Sequence, residues 1–418
     1  MSATSLLGTS AVMDSMSRSN RRRWLRRAIP AGAVLLAAGL TTGPALGATA
    51  TATPAGPVTS LVAPTGHHQA GTVRLHLVDP TRIDPTSPTH GIRELMVQIW
   101  YPATDTRGFP STPYLTPLAA AHFLAINNLP PGTTLPQTTG HVGASADRRD
   151  GPYPVMLYSP GGEADGSLDT GLVEDLVGHG YVVVTIDDTN ESPEVEFPGG
   201  RLVTGTFVPE TDAQSLQAQQ IRAADASFVL NELAVLNKGG DPDAEHAPLP
   251  AGLLDSLNLS RVGMFGWSLG GAASAQAMHD DPRIKAAINM DGRFWGPLAQ
   301  EGVNRPFLLL TGSEHTEQND PTLASFLAAT TGPRLHLALA DSQHATFTDV
   351  EELEPELAPA LGLTPDQVAA DLGAISPKTA VTDERAYTEA FLDKYLRNRD
   401  SHLLDGPSPC FPDIQFEP

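Results

Sequence analysis

The segment Gly266-Trp267-Ser268-Leu269-Gly270-Gly271 is the strongest indication of the fold in this chain of 418 residues. It follows the apolar run 262–265, which is typical of a buried strand, and precedes the alanine-rich run 272–278, which favours a helix. A serine at a sharp strand-to-helix turn takes strained backbone angles, and glycines two positions before and after it leave room for the turn. The pattern predicts that Ser268 is a nucleophile; the alternative is an ordinary turn serine.

Short apolar runs separated by helical stretches lie on both sides of this turn. Such alternation is typical of a parallel sheet with helices on both faces. The predicted parallel strands are 155–158, 181–186, 262–265, 286–290, 307–310 and 335–339, and the predicted helices are 168–179, 213–237, 270–279, 321–330 and 384–397. Two earlier strands, 73–78 and 94–101, are joined by a long proline-rich loop. We therefore expect an α/β fold with a mostly parallel sheet of about eight strands.

A serine nucleophile needs a base, and three histidines are candidates. His344 follows the last predicted sheet strand, from which a loop can reach back over the turn, and it is the predicted base. His315 is the second choice. His336 lies inside a strand pattern and is expected to be a packed residue.

Two carboxylates compete to orient that base. Asp291 ends the strand after the nucleophile's strand, and Glu314 follows the next one. Most hydrolases of this architecture place the acid at the later strand, but spacing alone does not choose between the two. For either residue the alternative is a solvated loop carboxylate.

An oxyanion needs two backbone N–H donors, one of them from the residue after the serine. Leu269 is predicted to supply the first. The segment Tyr158-Ser159-Pro160-Gly161-Gly162-Glu163 follows a buried strand, and Gly162 within it is predicted to supply the second. The alternative for this segment is a plain Pro-Gly-Gly turn.

Three features of the sequence resemble the secreted platelet-activating factor acetylhydrolase family, also called lipoprotein-associated phospholipase A2. They are the turn at Ser268, the segment Ile288-Asn289-Met290-Asp291-Gly292-Arg293-Phe294-Trp295, and His344. The resemblance covers about 73–400 and implies the α/β-hydrolase fold. It also implies that Asp291 is the acid and that Glu314 is a supporting residue.

The sequence departs from that family in two places. The family usually has His where this chain has Trp267, and it has His-Gly where this chain has Pro160-Gly161. An indole beside the nucleophile narrows the space for the acyl group. We therefore predict that Trp267 lines the substrate pocket and that short acyl chains are preferred.

These residues predict a serine esterase that hydrolyses short-acyl carboxylic esters of small molecules or lipids, with no metal and no organic cofactor. One alternative is a polyester or cutinase-like hydrolase. An alternative of another class is a non-catalytic binding protein on a hydrolase scaffold. Such a protein usually lacks the serine or the histidine, and this chain has both.

Charge and the N-terminal sequence bear on location. A net charge of −22 disfavours nucleic acid and anionic membrane surfaces as partners. Residues 1–50 have the order of a signal peptide, in which Arg21-Arg22-Arg23-Trp24-Leu25-Arg26 resembles a twin-arginine motif and the apolar run 28–40 is too short to span a bilayer. We expect secretion without a stable membrane anchor, and the single cysteine, Cys410, excludes an internal disulfide.

The remaining boundaries follow from composition. Residues 51–72 are expected to be a flexible leader, 73–400 the catalytic domain and 401–418 a C-terminal tail. The acidic run 349–356 is expected to be a solvated helix start rather than a calcium site, because charge runs usually face water. The segment 115–129 is either a short helix near the pocket mouth or part of the core.

Overall fold

Apolar runs form a central sheet in residues 56–418, the part of the chain that this computed structural model describes. The strands are β1 Gln69–Ile83, β2 Ile92–Asp105, β3 Ser111–Pro113, β4 Gln137–Val142, β5 Ser145–Ala146, β6 Tyr153–Ser159, β7 Val182–Asp187, β8 Glu194–Phe197, β9 Arg201–Thr204, β10 Leu257–Trp267, β11 Ile284–Met290, β12 Phe307–Gly312, β13 Arg334–Leu339 and β14 Ile414–Phe416. The helices are α1 Pro117–Ile126, α2 Thr170–Gly178, α3 Asp212–Leu236, α4 Leu269–Asp280, α5 Leu298–Glu301, α6 Pro321–Ala329, α7 Val350–Leu361, α8 Pro365–Leu372 and α9 Pro377–Leu392.

The central sheet has the order β14-β13-β12-β11-β10-β6-β7-β2-β1-β4-β3, and β5 pairs with β2; β8 and β9 form a separate two-stranded sheet. The run from β13 to β7 is parallel, and β2 joins it antiparallel. The predicted mostly parallel α/β architecture is confirmed, and all eight predicted strands are present. Within residues 56–418 the sheet has 12 strands, because β3, β4, β5 and β14 extend it. These four strands are short and lack apolar runs, so their sequences gave no strand signal.

Both faces of the sheet are covered by helices. Every residue of β6 is buried, as expected for a central parallel strand. On one face, Val97 of β2 shares a core with Phe228 of α3 and with α4. On the other face, Trp100 shares a core with Leu176 of α2 and with α9. Because the strands from β13 to β7 are parallel, their carboxyl ends lie along one edge of the sheet. This edge lies between the two helical layers.

The ends of the domain differ from expectation. The segment before β1, expected to be a flexible leader, is bound to the body from residue 56 onward. Ser60 donates to Glu356, Thr65 donates to Asp175, and Arg385 donates to the carbonyls of residues 62 and 63. At the other end, β14 within the expected tail pairs antiparallel with β13. The predicted signal peptide and the first residues of the leader lie outside the described residues.

The acidic run 349–356 is not a solvated helix start, and that expectation is wrong. Asp349, the N-cap of α7, and Glu354 are 4% and 0% exposed, and Ser60 of the N-terminal segment donates to Glu356 in the same helix. Asp349 accepts from the N–H groups of Thr170 and Gly171 at the start of α2. Asp349 thus satisfies backbone donors that would otherwise be buried without partners.

The segment 115–129 contains α1, and it also contributes to a core. Phe123 of α1 packs in one cluster with Tyr114 and Leu353 of α7. The segment therefore forms a short helix and is also part of a core. Among residues 56–418, no helix combines the length and the apolar character needed to cross a bilayer.

Arg93 at the start of β2 forms a buried charge cluster. Its guanidinium lies 2.9 Å from Asp84 in the β1–β2 loop and 2.6 Å from Asp225 in α3, and all three side chains are at most 2% exposed. A buried ion pair is weak evidence for net stability, but the loss of one partner leaves an uncompensated charge.

We expect Arg93→Ala to lower the free energy of unfolding by about 3–5 kcal/mol, because it removes the cation between two buried carboxylates. Urea unfolding followed by circular dichroism measures this. Arg107→Ala is the matched control: Arg107 pairs with Asp105 at 2.7 Å on the surface, and its loss should leave the unfolding midpoint unchanged. Equal effects in the two variants would contradict the prediction.

Candidate active site

Ser268 lies on the turn between β10 and α4 with φ 56° and ψ −122°. Its N–H donates to the carbonyl of Met290 at 2.7 Å, which ties the turn to β11. A Cβ atom at Gly270 would lie 1.9 Å from the carbonyl oxygen of Ser159 at the end of β6. A Cβ at Gly266 would lie 2.5 Å from that same oxygen and from the Gly270 backbone. Only glycine fits at either position, for the reason that the sequence pattern suggested.

Ser268, His344 and Asp291 form a continuous hydrogen-bonded chain. The Nε2 atom of His344 lies 2.9 Å from the Ser268 hydroxyl, and its Nδ1 lies 2.5 Å from Asp291 Oδ2. With its proton on Nδ1, the imidazole donates to the carboxylate and can accept the serine proton on Nε2. Glu314, the competing carboxylate, is exposed. The structure therefore brings together the three residues that the family resemblance selected.

His344 is held by the loop that follows β13. Its carbonyl accepts the indole N–H of Trp267 at 2.8 Å. Thr346 donates to the carbonyl of Leu372 at 2.6 Å, and Asp341 accepts from Ala374 at 2.7 Å, which anchors the loop to the α8–α9 connection.

The second oxygen of Asp291 has its own partners. Oδ1 accepts from the N–H of Gly312 at 2.8 Å and lies 3.0 Å from Nδ1 of His315. The other ring nitrogen of His315 lies 3.1 Å from Asp320 Oδ2. His315, the second candidate for the base, is thus paired with the carboxylates, and His344 is the histidine at Ser268. His336 is buried and bonded to Thr311, as expected for a packed residue.

The pKa values of His315 and Asp291 are shifted in opposite directions. Burial alone disfavours the charge on His315, but Asp291 and Asp320 outweigh it and raise the pKa of His315 to about 10. Burial alone raises the pKa of Asp291. The charge of His315 and the hydrogen bonds from His315 and His344 outweigh that effect and hold the pKa of Asp291 below its ordinary value. Asp291 therefore stays ionised.

The loop after β6 carries the predicted oxyanion donor. Arg222 of α3 donates to the carbonyls of Pro160 and Gly161. Because C=O and N–H point in opposite directions across a trans peptide, the N–H of Gly162 points away from Arg222. Gly162 lies beside Leu269, since a Cβ on it would be 3.6 Å from the Leu269 side chain.

Sequence reasoning missed Arg222. It is fully buried and paired with Asp188 at 3.1 Å and with Glu191, so it connects the loop after β6 to the segment after β7. The available signal was that Arg222 is the sole basic residue in the predicted helix 213–237.

Trp267 packs between the loop after β6 and His344. A Cβ at Gly161 would lie 2.2 Å from the indole, and the indole and imidazole centroids are 4.8 Å apart. Trp267 is half-buried, so part of its side chain is exposed. The pairing also shows why glycine is required at 161.

Two groups of side chains in the described region have the spacing of metal ligands. They are His68, Asp147 and Asp150, and Asp400, His402 and Asp405. Neither group includes a residue of the Ser268 cluster. The second group is fully exposed, and exposed acidic groups of this kind are common without an ion.

A serine lies on a strained turn before a helix, at the carboxyl edge of a parallel sheet, and is hydrogen-bonded to a histidine that is in turn bonded to an aspartate. These features define the α/β-hydrolase class. Comparison with known proteins gives the family. The family model described as platelet-activating factor acetylhydrolase, isoform II, matches residues 90–402. The chain belongs to this family, as the sequence resemblance predicted.

The chain is similar to three known proteins from different organisms. A protein of Arthroderma benhamiae named "Probable 1-alkyl-2-acetylglycerophosphocholine esterase" is 28% identical over 63% of this chain and 66% of its own length. The platelet-activating factor acetylhydrolase of Cavia porcellus is 24% identical over 61% of each chain. The chain thus matches just under two thirds of each curated relative. The solved ferulic acid esterase of Streptomyces cinnamoneus is 33% identical, with a TM-score of 0.73, over 87% of this chain and 100% of that one.

The two candidate acids differ in contact with His344, which predicts different effects on turnover. Asp291→Asn should lower kcat by a factor on the order of 10⁴, because a neutral amide no longer fixes the tautomer of His344 or stabilises its charge. Glu314→Gln is the matched control and should change kcat far less, since Glu314 is exposed. Steady-state kinetics of both variants measures this, and the reverse ranking would move the acid to Glu314.

Proposed function

We propose that this protein is a secreted serine esterase that hydrolyses short-acyl carboxylic esters. The observation that carries the proposal is the hydrogen-bonded chain from Ser268 through His344 to Asp291 on a strained turn. Membership in the acetylhydrolase family supports the same reaction class. The signal-like order of residues 1–50 supports secretion.

The geometry supports a two-step acyl transfer. As the Ser268 oxygen attacks the ester carbonyl carbon, Nε2 of His344 takes the serine proton and Asp291 stabilises the resulting imidazolium. The carbonyl π electrons move onto oxygen, where the N–H groups of Leu269 and Gly162 stabilise the negative charge. Collapse of this intermediate breaks the bond to the alcohol, which leaves with the proton from His344.

The second step reverses these roles. Water attacks the acyl-enzyme carbonyl while His344 takes its proton, and collapse releases the carboxylic acid and returns the proton to Ser268. Every proton and electron pair is accounted for by the substrate, water and these side chains. The proposed reaction therefore uses no metal and no organic cofactor.

Two substrate classes have support. The names of the two curated relatives favour an acetyl ester of a glycerophospholipid, and the Trp267 indole packed against His344 favours a short acyl group. The solved esterase with the larger shared length favours an ester of an aromatic acid as a second candidate. A polyester hydrolase and a non-catalytic binding protein are further alternatives that the experiments below separate.

Loss of the nucleophile is the primary test. Ser268→Ala should abolish hydrolysis of p-nitrophenyl acetate without unfolding the chain, because it removes only the attacking oxygen. Labelling of the wild type by a fluorophosphonate probe should disappear in this variant, as followed by gel fluorescence and mass spectrometry. Labelling of a different serine, or undiminished hydrolysis, refutes the assignment, and an unlabelled folded wild type supports the binding-protein alternative.

Acyl preference tests the role of Trp267. Acetyl and butyryl esters should be hydrolysed much faster than palmitoyl esters, because each methylene in an apolar pocket changes transition-state binding by about 1–3 kcal/mol. Trp267→Ala should shift the optimum toward longer chains. The panel includes an acetyl phospholipid, a feruloyl ester and a polyester film, so that the substrate classes are ranked directly. An unchanged chain-length profile in the variant would show that the indole does not border the acyl group.

A further inference from the structure

Asp291 has one imidazole on each carboxylate oxygen. His344 lies on Oδ2 at 2.5 Å, and His315 lies on Oδ1 at 3.0 Å. The hydrolase mechanism needs only the first of these. The second histidine continues the hydrogen-bonded chain away from the nucleophile and ends at another carboxylate, Asp320, at 3.1 Å.

The position of His315 between two carboxylates determines its charge. A neutral imidazole has one N–H group and therefore cannot donate to both Asp291 and Asp320. A neutral ring would turn the lone pair of one nitrogen toward a carboxylate oxygen. With side-chain exposures of 14% for His315, 4% for Asp291 and 7% for Asp320, water has little access to relieve that repulsion. The doubly protonated ring satisfies both partners.

Asp320 is itself fixed in place. It is the N-cap of α6, where its Oδ1 accepts the N–H of Thr322 at 2.9 Å and the hydroxyl of the same residue at 2.7 Å. Because these N-cap hydrogen bonds hold Oδ1, the other oxygen, Oδ2, faces His315. The hydrogen-bonded series of side chains thus extends from Asp320, the N-cap of α6, to Ser268, the nucleophile.

We infer that His315 is a positioning residue: held as a cation by Asp320, it fixes Asp291 and offsets part of its negative charge, so that His344 stays neutral and able to act as a base at lower pH. This inference rests on the proposed esterase function. His315 acts through Asp291.

The physical basis is the balance of charge on Asp291. A carboxylate alone strongly stabilises the imidazolium form of His344, and a base that is already protonated cannot take the serine proton. A cation on the opposite oxygen weakens that stabilisation while the ordered carboxylate still holds the His344 ring. Removal of the cation should therefore raise the pH below which activity is lost.

The groups that face His315 come from several elements. Asp291 follows β11, Asp320 begins α6, and His344 follows β13. Further charged or titratable neighbours are Arg293, 4.0 Å from Asp320, His336 in β13, and Glu317, 3.6 Å from His336. Burial opposes ionisation of Asp320, but hydrogen bonds from His315 and Thr322 outweigh it and lower the pKa of Asp320. Both carboxylates are ionised near neutral pH, where His315 is still charged.

The experiment compares kcat/KM against pH for the wild type and His315→Gln. Glutamine keeps a donor toward Asp291 but removes the charge. The acid limb of the profile should move upward by about one pH unit. A matched control is His246→Gln, since His246 pairs with Asp241 at the same 3.1 Å distance as His315 with Asp320 but is 73% exposed. The control should leave the profile unmoved, and a fall in kcat without a shift of the limb in His315→Gln overturns the inference.

A second measurement does not depend on activity. In the Ser268→Ala protein, ¹⁵N NMR of the imidazoles should show both ring nitrogens of His315 protonated from pH 6 to pH 9. Adding His315→Gln should raise the pH at which His344 titrates. These results hold even if the protein hydrolyses no ester, so failure of the inference and failure of the proposed function are distinguishable.

Asp320→Asn provides a further variant should His315→Gln not fold. It keeps an acceptor for Thr322 but removes one of the two negative charges on His315. The pH at which His315 loses its second ring proton should fall, as read from the same NMR signals. A single ring N–H on His315 at neutral pH in the Ser268→Ala protein, or no change in its titration in Asp320→Asn, overturns the inference.

Discussion

The close approach of two backbones at the nucleophile turn is the constraint on which the rest of the site depends. The turn after β10 comes so near the end of β6 that a single methyl group on Gly270 would overlap the carbonyl of Ser159. This contact sets Leu269 beside the loop that carries Gly162, which brings the two proposed oxyanion donors to one place. Glycine is needed there because of space, and Ser268 takes positive φ because the chain must reverse from strand to helix within one residue.

Buried charge fixes the two loops that complete this arrangement. Arg222 reaches from α3 to two carbonyls of the loop after β6, and its own charge is balanced by Asp188 and Glu191. On the other side, Asp291 lies between His344 and His315. The helices therefore do more than cover the sheet: α3 supplies the cation for one loop, and the N-cap of α6 supplies the anion that holds His315. Neither contribution is visible from the nucleophile motif alone.

Patterns that are local in sequence were sufficient to predict the parallel strands of the central sheet and the strand-to-helix turn at Ser268. Parallel strands bury both faces and appear as continuous apolar runs, and the turn pattern is contained in six residues. The edge strands were missed because β4, with the sequence QTTGHV, has neither an apolar run nor a clear alternation. The acidic run 349–356 was misjudged for a related reason. Its composition predicted that the run is exposed to solvent. Instead, Asp349 and Glu356 accept hydrogen bonds from backbone N–H groups that are more than a hundred residues away along the chain.

The choice between Asp291 and Glu314 shows why strand-end position alone was not enough. Both carboxylates follow neighbouring parallel strands, so the topology brings both to the same edge, and residue spacing gives them equal standing. The difference lies in the direction of the backbone: Asp291 adopts φ 57°, its N–H bonds to Leu310, and its carboxylate is turned inward onto the N–H of Gly312. Glu314 is exposed, while the next residue, His315, turns inward to Asp291. The end of β11 thus supplies the carboxylate of Asp291, and the end of the neighbouring strand β12 supplies the cation of His315. This division of roles depends on tertiary contacts and cannot be predicted from the spacing of residues in the sequence.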